Sequence, residues 1–349
     1  MLFRQLFDSA SCTYTYLLSA GEGGEALIID PVLDHLERYL QLLEELDLTL
    51  AKAIDTHVHA DHISAIGALR DKTACVTMMG RQSSVDVVSM RIDDGDKIEI
   101  EGVALDAIYT PGHTDDSYCF AMPGRVFTGD TLLIRGTGRT DFQHGNALSG
   151  YDSLFNKLLK LPDETLVYPG HDYKGDTVST IGEERRFNPR LQVATAEAYA
   201  DIMDDLGLPD PKLMDVAVPA NMKMGMRQAD AEIAERSLNP GDAQKRLHSG
   251  DTIFVDLRES GERTKAGVIA GSVHVPYQQL SDFIKPGGAL AALAGQDDAP
   301  MLLYCAYGER SALALKTMRG AGFKNIRHLA GGIDAWINSG APLEATEAG

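Results

Sequence analysis

Three histidines and an aspartate stand within seven residues, in the segment 56–62 with the sequence THVHADH. The segment follows a strand-like run, 51–54, and precedes a helix-like stretch. Imidazole and carboxylate groups gathered at the end of a strand can converge on one cavity and bind a metal ion there. The alternative is a polar loop without a ligand. The density of donor groups favours the metal site.

Three later segments share this local form, because each places a glycine and a ligand-type side chain at the end of a strand-like run. Those side chains are His113, Asp130 and His171. Strand ends collect on one rim in sandwich and barrel folds. We therefore expect the three side chains to face the same cavity as the THVHADH segment.

The elements around these residues indicate two α/β domains. From residue 13 to about 170, short β-rich runs alternate with helical stretches, a pattern that predicts a layered α/β sandwich. A helical stretch at 190–236 is expected to pack on this first domain. Turn and cap signals at 237–242 begin a second α/β alternation. The predicted domains are 1–236 and 237–349.

The composition limits the partners and the compartment. The chain has 51 acidic and 32 basic residues and a net charge of -19 at pH 7, which disfavours nucleic acid and anionic membranes as partners. The four cysteines are too scattered for a disulfide framework. No export signal is recognisable, so we expect a reducing, cytoplasmic compartment, although a mitochondrial matrix gives the same pattern. A homodimer is left open.

The metal motif belongs to a larger pattern. THVHADH, followed by a lone His, a Gly-Asp and a Gly-His, resembles the metallo-β-lactamase fold superfamily over roughly residues 1–190. Within it, the segments 134–143 (IRGTGRTDFQ), 168–173 (YPGHDY) and 188–190 (NPR) look like persulfide dioxygenases rather than glyoxalase II. The resemblance implies an αββα sandwich that uses one Fe(II) to oxidise glutathione persulfide with O₂ to sulfite and glutathione.

The resemblance also implies roles for individual residues. The implied iron ligands are His57, His113 and Asp130. The residues implied to orient the ligands and shape the pocket are His59, Asp61, His62 and His171. The residues implied to bind glutathione are Arg139, Tyr173 and Arg190.

The donor chemistry agrees with iron but leaves an alternative. Two imidazoles and one carboxylate form the facial triad of Fe(II) oxygenases and leave coordination positions open, whereas zinc has no redox chemistry. The full set of seven donors would equally serve two zinc ions. A two-zinc thioester hydrolase of the glyoxalase II type, fused to a sulfurtransferase, is therefore the alternative prediction.

A second candidate site lies in the second domain. Cys305 follows the apolar run 301–304 and precedes a helix pattern, with Arg310 five residues further on. A thiolate is stabilised at such a helix start, although a lone cysteine after a strand can also be a small core residue. The C-x-x-G-x-R-S loop, together with the segments 255–259 and 329–336, resembles a rhodanese domain.

The rhodanese resemblance covers residues 238 to 345 approximately and implies an α/β domain with a parallel sheet. It implies that Cys305 carries sulfane sulfur as a persulfide and that Arg310 counters an anionic donor such as thiosulfate. The loop residues implied to bind the transferred group are Ala306, Tyr307, Gly308 and Glu309. His328 is interpreted as a surface or structural residue.

Both domains thus point to sulfane sulfur, which predicts a bifunctional enzyme. One part oxidises glutathione persulfide, and the other exchanges sulfur between thiosulfate and glutathione in a direction that the sequence leaves open. A non-enzymatic persulfide carrier or sulfur sensor is a third reading.

Overall fold

The computed structural model describes residues 1–86, 88–209, 213–224, 231–295 and 299–346. The chain forms two compact units. The first unit consists of residues 1–86 and 91–224, and the second unit consists of residues 87–90 and 225–349. The predicted boundary at 236 falls inside the second of these units. Among the helices of the described residues, none is both long enough and apolar enough to cross a membrane.

The first unit contains two sheets. In the described residues the first sheet has six strands in sequence order: β1 (Leu2–Asp8), β2 (Thr13–Ser19), β3 (Glu25–Ile29), β4 (Thr49–Ile54), β5 (Val76–Gly80) and β6 (Met90–Ile92). β1 to β3 are antiparallel, and β3, β4 and β5 are parallel. β2 is buried along its whole length, as expected for a central strand covered on both faces.

The second sheet has the order β12-β11-β10-β9-β8-β7 in the described residues. Its strands are β7 (Lys97–Ile100), β8 (Val103–Tyr109), β9 (Tyr118–Met122), β10 (Arg125–Gly129), β11 (Leu166–Pro169) and β12 (Ser179–Thr180). Aromatic rings pack the two sheets together, with centroid distances of 5.0 Å between Tyr16 and Phe127 and 4.9 Å between Phe3 and Tyr168. Such pairs add to the free energy gained by burying apolar area.

Helices cover the outer faces of both sheets. The helices of this unit are α1 (Leu36–Glu45), α2 (Ile66–Thr73), α3 (Ala147–Asp152), α4 (Ile181–Phe187), α5 (Ala196–Asp204) and α6 (Met214–Asn221). α1 buries Tyr39, whose hydroxyl contacts Thr15 of the first sheet. α5 buries Tyr199 in a core cluster with Val126 and Val167 of the second sheet. The αββα sandwich expected from the sequence is confirmed.

The second unit is built on a parallel sheet with the order β13-β17-β16-β14-β15 in the described residues. Its strands are β13 (Ser237–Leu238), β14 (Ile253–Asp256), β15 (Val273–His274), β16 (Met301–Tyr304) and β17 (Ile326–Leu329). Its helices are α7 (Ala231–Ala234), α8 (Pro240–Ser249), α9 (Ser260–Ala266), α10 (Leu280–Ile284), α11 (Ala289–Ala294), α12 (Glu309–Gly320) and α13 (Gly332–Asn338). α7 lies in this unit and precedes the boundary predicted at residue 236.

Alternate residues of the central strands enter two core clusters on opposite faces of this sheet. Val255 and Leu303 lie in one cluster, and Phe254 and Leu302 lie in the other with Trp336. The alternation follows from the two-residue period of a strand. The parallel α/β domain expected from the sequence is therefore confirmed.

Candidate metal centre and thiol loop

The implied metal ligands all follow the ends of strands. β4 leads into His57, and β8 ends four residues before His113. Asp130 directly follows β10. One donor atom from each of these three side chains lies within 4.8 Å of a donor atom from the other two. The ends of these strands therefore bring the donor atoms of the three residues close together.

The two imidazoles present the same nitrogen to the centre. The Thr56 hydroxyl donates to Asp30 Oδ2 at 3.0 Å, so it accepts the hydrogen bond from His57 Nδ1–H at 2.9 Å. His113 Nδ1–H donates to the carbonyl oxygen of Arg139 at 2.7 Å. A proton on each Nδ1 leaves the Nε2 lone pair of each ring free for a metal.

His171 lies between two carboxylates. Its Nδ1 is 2.6 Å from Asp130 Oδ1, and its Nε2 is 2.9 Å from Asp61 Oδ2. Burial disfavours the charged ring, but the two carboxylates outweigh it and raise the pKa of His171 well above its usual value. Burial also opposes ionisation of Asp130, yet His171 holds the pKa of that carboxyl far below its usual range. Asp61 accepts a further hydrogen bond from His62 Nδ1 at 2.9 Å.

His59 has a separate partner. Its Nε2 lies 3.1 Å from Asp30 Oδ1, and both residues are buried. Asn221, the last residue of α6, donates from Nδ2 to the carbonyl oxygens of His59 and His62, each at 2.9 Å. These bonds fix the course of the THVHADH loop. His59, Asp61 and His62 also have donor atoms within 4.8 Å of one another, which keeps a second ion in the alternative prediction.

The three residues implied to bind glutathione differ in their contacts and in their exposure. Tyr173 stacks on His171, with ring centroids 6.0 Å apart, and its side chain is 70% exposed. Arg139 pairs with Asp141 through Nε at 2.6 Å and Nη2 at 2.7 Å, and its guanidinium lies over Phe142. Arg190 is half-buried and donates to the Thr137 backbone carbonyl. Tyr173 is thus the most exposed of the three predicted residues.

The residues present fit a metal ion. Two free Nε2 lone pairs and one carboxylate are the donor set of a facial triad. Burial lowers the pKa of His57 well below its usual value, so the ring is neutral and able to ligate at neutral pH. Since both nitrogens of His171 are bonded to carboxylates, that ring has no free lone pair for a second ion in this arrangement.

Cys305 lies between β16 and α12. The Gly308 N–H donates to Cys305 Sγ at 3.2 Å. At the start of α13, the N–H groups of Ile333 and Asp334 donate to the carbonyl oxygens of Cys305 and the following residue at 2.8 and 3.1 Å. A Cβ on Gly332, where φ is +62°, would lie 2.5 Å from those same oxygens, so only glycine allows this close approach.

The thiol loop is largely enclosed within the second unit. Cys305 and Arg310 are fully buried, and Tyr307 is half-buried. The remaining loop residues, all buried, are Ala306, Gly308 and Glu309. Both terminal nitrogens of Arg310 bond the carboxylate of Glu262 in α9, at 2.7 and 2.6 Å. The guanidinium of Arg310 therefore ties the loop to α9, and its positive charge is paired with the carboxylate of Glu262.

Comparison with known proteins identifies both units. The family model of the metallo-beta-lactamase superfamily matches residues 12–171, and that of the rhodanese-like domain matches residues 239–339. The human mitochondrial persulfide dioxygenase ETHE1 is 46% identical over 234 residues, which cover 66% of this chain and 91% of the human protein. The chain belongs to the persulfide dioxygenase family. This membership places it among enzymes of sulfur metabolism.

Solved structures agree with this assignment to the persulfide dioxygenases. The crystal structure of ETHE1 from Myxococcus xanthus is 53% identical with a TM-score of 0.62, over 64% of this chain and 98% of that chain. A metallo-beta-lactamase from Staphylococcus aureus has a TM-score of 0.60 over 95% of this chain and 99% of its own. At 22% identity it shows the fold alone.

The sequence analysis of this persulfide dioxygenase family member did not single out two residues that contact the candidate sites. Asp30 accepts hydrogen bonds from Thr56 and His59, and it lies outside every motif that the sequence analysis named. His328 was interpreted as surface or structural, and the structure buries it beside Ser311 of the thiol loop. Asp30 is a carboxylate that directly follows an apolar strand, and His328 is an imidazole inside an apolar strand. A polar side chain in such a place is the signal that could have identified each residue.

Burial of His328 has a measurable consequence for acid stability. Burial lowers its pKa from 6.5 to about 4, so only the unfolded chain binds this proton between those pH values. The free energy of unfolding should therefore fall as the pH drops from 6.5 towards 4, by at most about 3.5 kcal/mol, since one pKa unit is worth about 1.4 kcal/mol. Urea unfolding followed by the fluorescence of Trp336, the one tryptophan in the chain, reports on this unit.

His328→Asn should flatten this dependence, because asparagine does not titrate in the range. His248→Asn is the matched control, since His248 is an exposed residue of α8 in the same unit. Equal pH slopes for the wild-type protein and His328→Asn would contradict the assignment.

Proposed function

We propose that the first unit binds one Fe(II) through His57, His113 and Asp130 and oxidises glutathione persulfide to sulfite. The balanced reaction takes one persulfide, one O₂ and one water to glutathione, sulfite and two protons. The observation that supports it is the convergence of two imidazoles and one carboxylate, while both nitrogens of His171 are bonded to carboxylates. Iron in such a triad supplies open positions and a redox couple for O₂ and a substrate sulfur.

Residues around the three ligands hold them in position for binding a metal ion. Thr56 and the Arg139 carbonyl hold the two imidazoles by their Nδ1–H groups, which fixes their tautomers. His171, charged between Asp130 and Asp61, holds the Asp130 carboxylate in place. Tyr173 extends the stack from His171 to the surface, where it can contact a bound peptide. We assign Arg190 and Arg139 to the glutathione subsite on the family resemblance.

For the second unit we propose sulfur transfer between thiosulfate and glutathione through a persulfide on Cys305. The Cys305 thiolate attacks the outer sulfur of thiosulfate, an S–S bond forms, and the bond to the sulfonate group breaks as sulfite leaves. Gly308 N–H and the start of α12 stabilise negative charge on the sulfur. Arg310 contributes to sulfur transfer by holding the thiol loop in place, because its side chain is paired with Glu262.

Metal content and oxygen uptake test the proposal for the first unit. Protein purified without oxygen should contain about one iron per chain, the stoichiometry of a facial-triad site. It should consume O₂ and release sulfite when glutathione persulfide is added. Protein with two zinc ions that hydrolyses lactoylglutathione without consuming oxygen would instead establish the glyoxalase II type of reaction. Protein that contains no metal and turns over neither substrate would support the hypothesis of a non-enzymatic persulfide carrier or sulfur sensor.

A further inference from the structure

Thr13, the first residue of β2, lies against the donor groups beside the proposed iron site. Its side-chain oxygen is 3.1 Å from Asp61 Oδ2, 3.3 Å from His62 Nδ1 and 3.0 Å from His171 Nε2. The residue is fully buried. These three neighbours, a carboxylate and two imidazoles, are donors that the two-zinc alternative needs for its second ion. A second ion would therefore have to share their cavity with the Thr13 hydroxyl.

The backbone holds Thr13 in this position. An isolated antiparallel bridge pairs it with His171. Next to this bridge, the Tyr14 N–H donates to the carbonyl oxygen of Gly170 at 2.7 Å. Cys12, directly before Thr13, has a φ of +64°, which residues other than glycine rarely adopt. Because such a backbone conformation persists only where the surrounding contacts impose it, the start of β2 is fixed beside the His171 ring.

The proton of the Thr13 hydroxyl points away from the three donors. Ser11 Oγ donates its single proton to the Asp8 carboxylate at 2.6 Å, so it can only accept in its 2.7 Å contact with Thr13. Thr13 therefore gives its own proton to Ser11, the shorter of its oxygen contacts. The lone pairs of the Thr13 oxygen remain as acceptors on the side of the two imidazoles.

The rings of His62 and His171 present protons to this acceptor. Asp61 Oδ2 lies 2.9 Å from His62 Nδ1 and 2.9 Å from His171 Nε2. A carboxylate only accepts hydrogen bonds, so each of these two nitrogens carries a proton. A protonated nitrogen has no lone pair for a metal. Thr13 and Asp61 together thus stabilise both rings in a form that does not ligate through these nitrogens.

We propose that the Thr13 hydroxyl takes the place of a second metal ion and thereby makes the first unit a one-metal protein. This inference rests on the proposed one-iron centre and gives the reason why the neighbouring donors take no second ion. A zinc ion held by three protein ligands needs a water molecule or a substrate as its fourth ligand. Thr13 Oγ already lies at hydrogen-bond distance from all three donor atoms, which is the position that this water would take.

The opposite role for Thr13 would be that of a fourth ligand. A neutral hydroxyl that donates to Ser11 is a weak ligand for zinc, which binds thiolate, imidazole and carboxylate groups. The two roles predict opposite effects of removing the hydroxyl. Loss of a ligand lowers the metal content, whereas loss of a group that keeps the ion out raises it.

The test is the number of metal ions that the full-length protein binds. Metal-free protein is titrated with Co(II) without oxygen, and bound cobalt is followed by its visible absorbance and by metal analysis. Wild-type protein should bind about one Co(II) per chain, and Thr13→Ala should bind about two, because a water molecule can then complete a second site. Thr13→Ser keeps the hydroxyl and should return to the wild-type value.

Thr49→Ala is the matched control, because Thr49 is an exposed residue of β4. It should bind as much cobalt as the wild-type protein. A folded Thr13→Ala protein that binds no more cobalt than the wild-type protein would overturn the inference, and so would a Thr13→Ser protein that binds as much as Thr13→Ala.

If Thr13→Ala does not fold, the ring protons of the wild-type protein decide. In protein loaded with one equivalent of zinc, which is diamagnetic, nitrogen NMR of the histidine rings should show protons on His62 Nδ1 and His171 Nε2. A nitrogen without a proton at either position would reject the role of Thr13. Wild-type protein that binds iron but consumes no O₂ with glutathione persulfide would instead reject the proposed reaction and leave the inference about Thr13 in place.

Discussion

Asp130→Asn should eliminate iron binding and persulfide-dependent oxygen uptake. The amide has nearly the shape of the carboxylate and can still accept from His171 Nδ1, but it supplies no negative charge to the metal. Loss of a residue that merely supports a ligand typically costs 10- to 100-fold, so loss of the carboxylate itself should cost more than about 100-fold. Iron analysis and an oxygen electrode measure the two effects.

Asp201→Asn is the matched control, because Asp201 is an exposed residue of α5. It should keep full iron content and full oxygen uptake. The Asp130→Asn protein should also retain sulfur transfer at Cys305, since the two sites are proposed to act separately. Iron retained at full occupancy in folded Asp130→Asn would contradict the assignment of this ligand.

The sequence could predict that the three donors lie together because the signals for them are local. His57 and its neighbours form one dense motif, and His113 and Asp130 each follow a glycine at a strand end. The ends of adjacent strands meet on one rim of a sandwich, so the order of elements was sufficient to bring the three donors together. Cys305 was predictable for the same reason, since it joins a strand to a helix.

The supporting contacts could not be predicted from local pattern. Asp30 reaches Thr56 because β3 and β4 are parallel and pair Ile29 with Ile54, which brings together residues far apart in the sequence. His328 reaches Ser237 through the register of β13 and β17. Hydrophobic periodicity does not predict how β3 aligns with β4 or how β13 aligns with β17. Charge pairing has the same origin, because Glu262 meets Arg310 only after α9 and α12 have packed.

One strand was also missed. β1, Leu2–Asp8, is mostly half-buried and mixes Arg and Gln with its apolar residues, so its alternation is weak. Its stability comes from antiparallel pairing along the whole of β2 and from Phe3, whose ring packs 4.9 Å from Tyr168. Tertiary contacts of this kind outweigh a weak local preference for the strand.

Cys305→Ser should separate the two proposed activities. Serine keeps the size of the side chain but is a far weaker nucleophile near neutral pH, and it cannot carry a sulfane sulfur as a persulfide. Transfer of sulfur from thiosulfate should therefore fall by more than about 1000-fold. Oxidation of added glutathione persulfide should continue at the wild-type rate, because its proposed ligands lie in the first unit.

Cys75→Ala provides the matched control, since it removes a buried thiol from the first unit and should leave both activities in place. The decisive measurement is sulfite release from two starting points, glutathione persulfide alone and thiosulfate with glutathione. Cys305→Ser should lose sulfur transfer with the second mixture and keep oxidation of the first. If a folded Cys305→Ser protein also stopped oxidising added persulfide, the sulfur of Cys305 would be needed for both reactions, and two independent sites could not explain the enzyme.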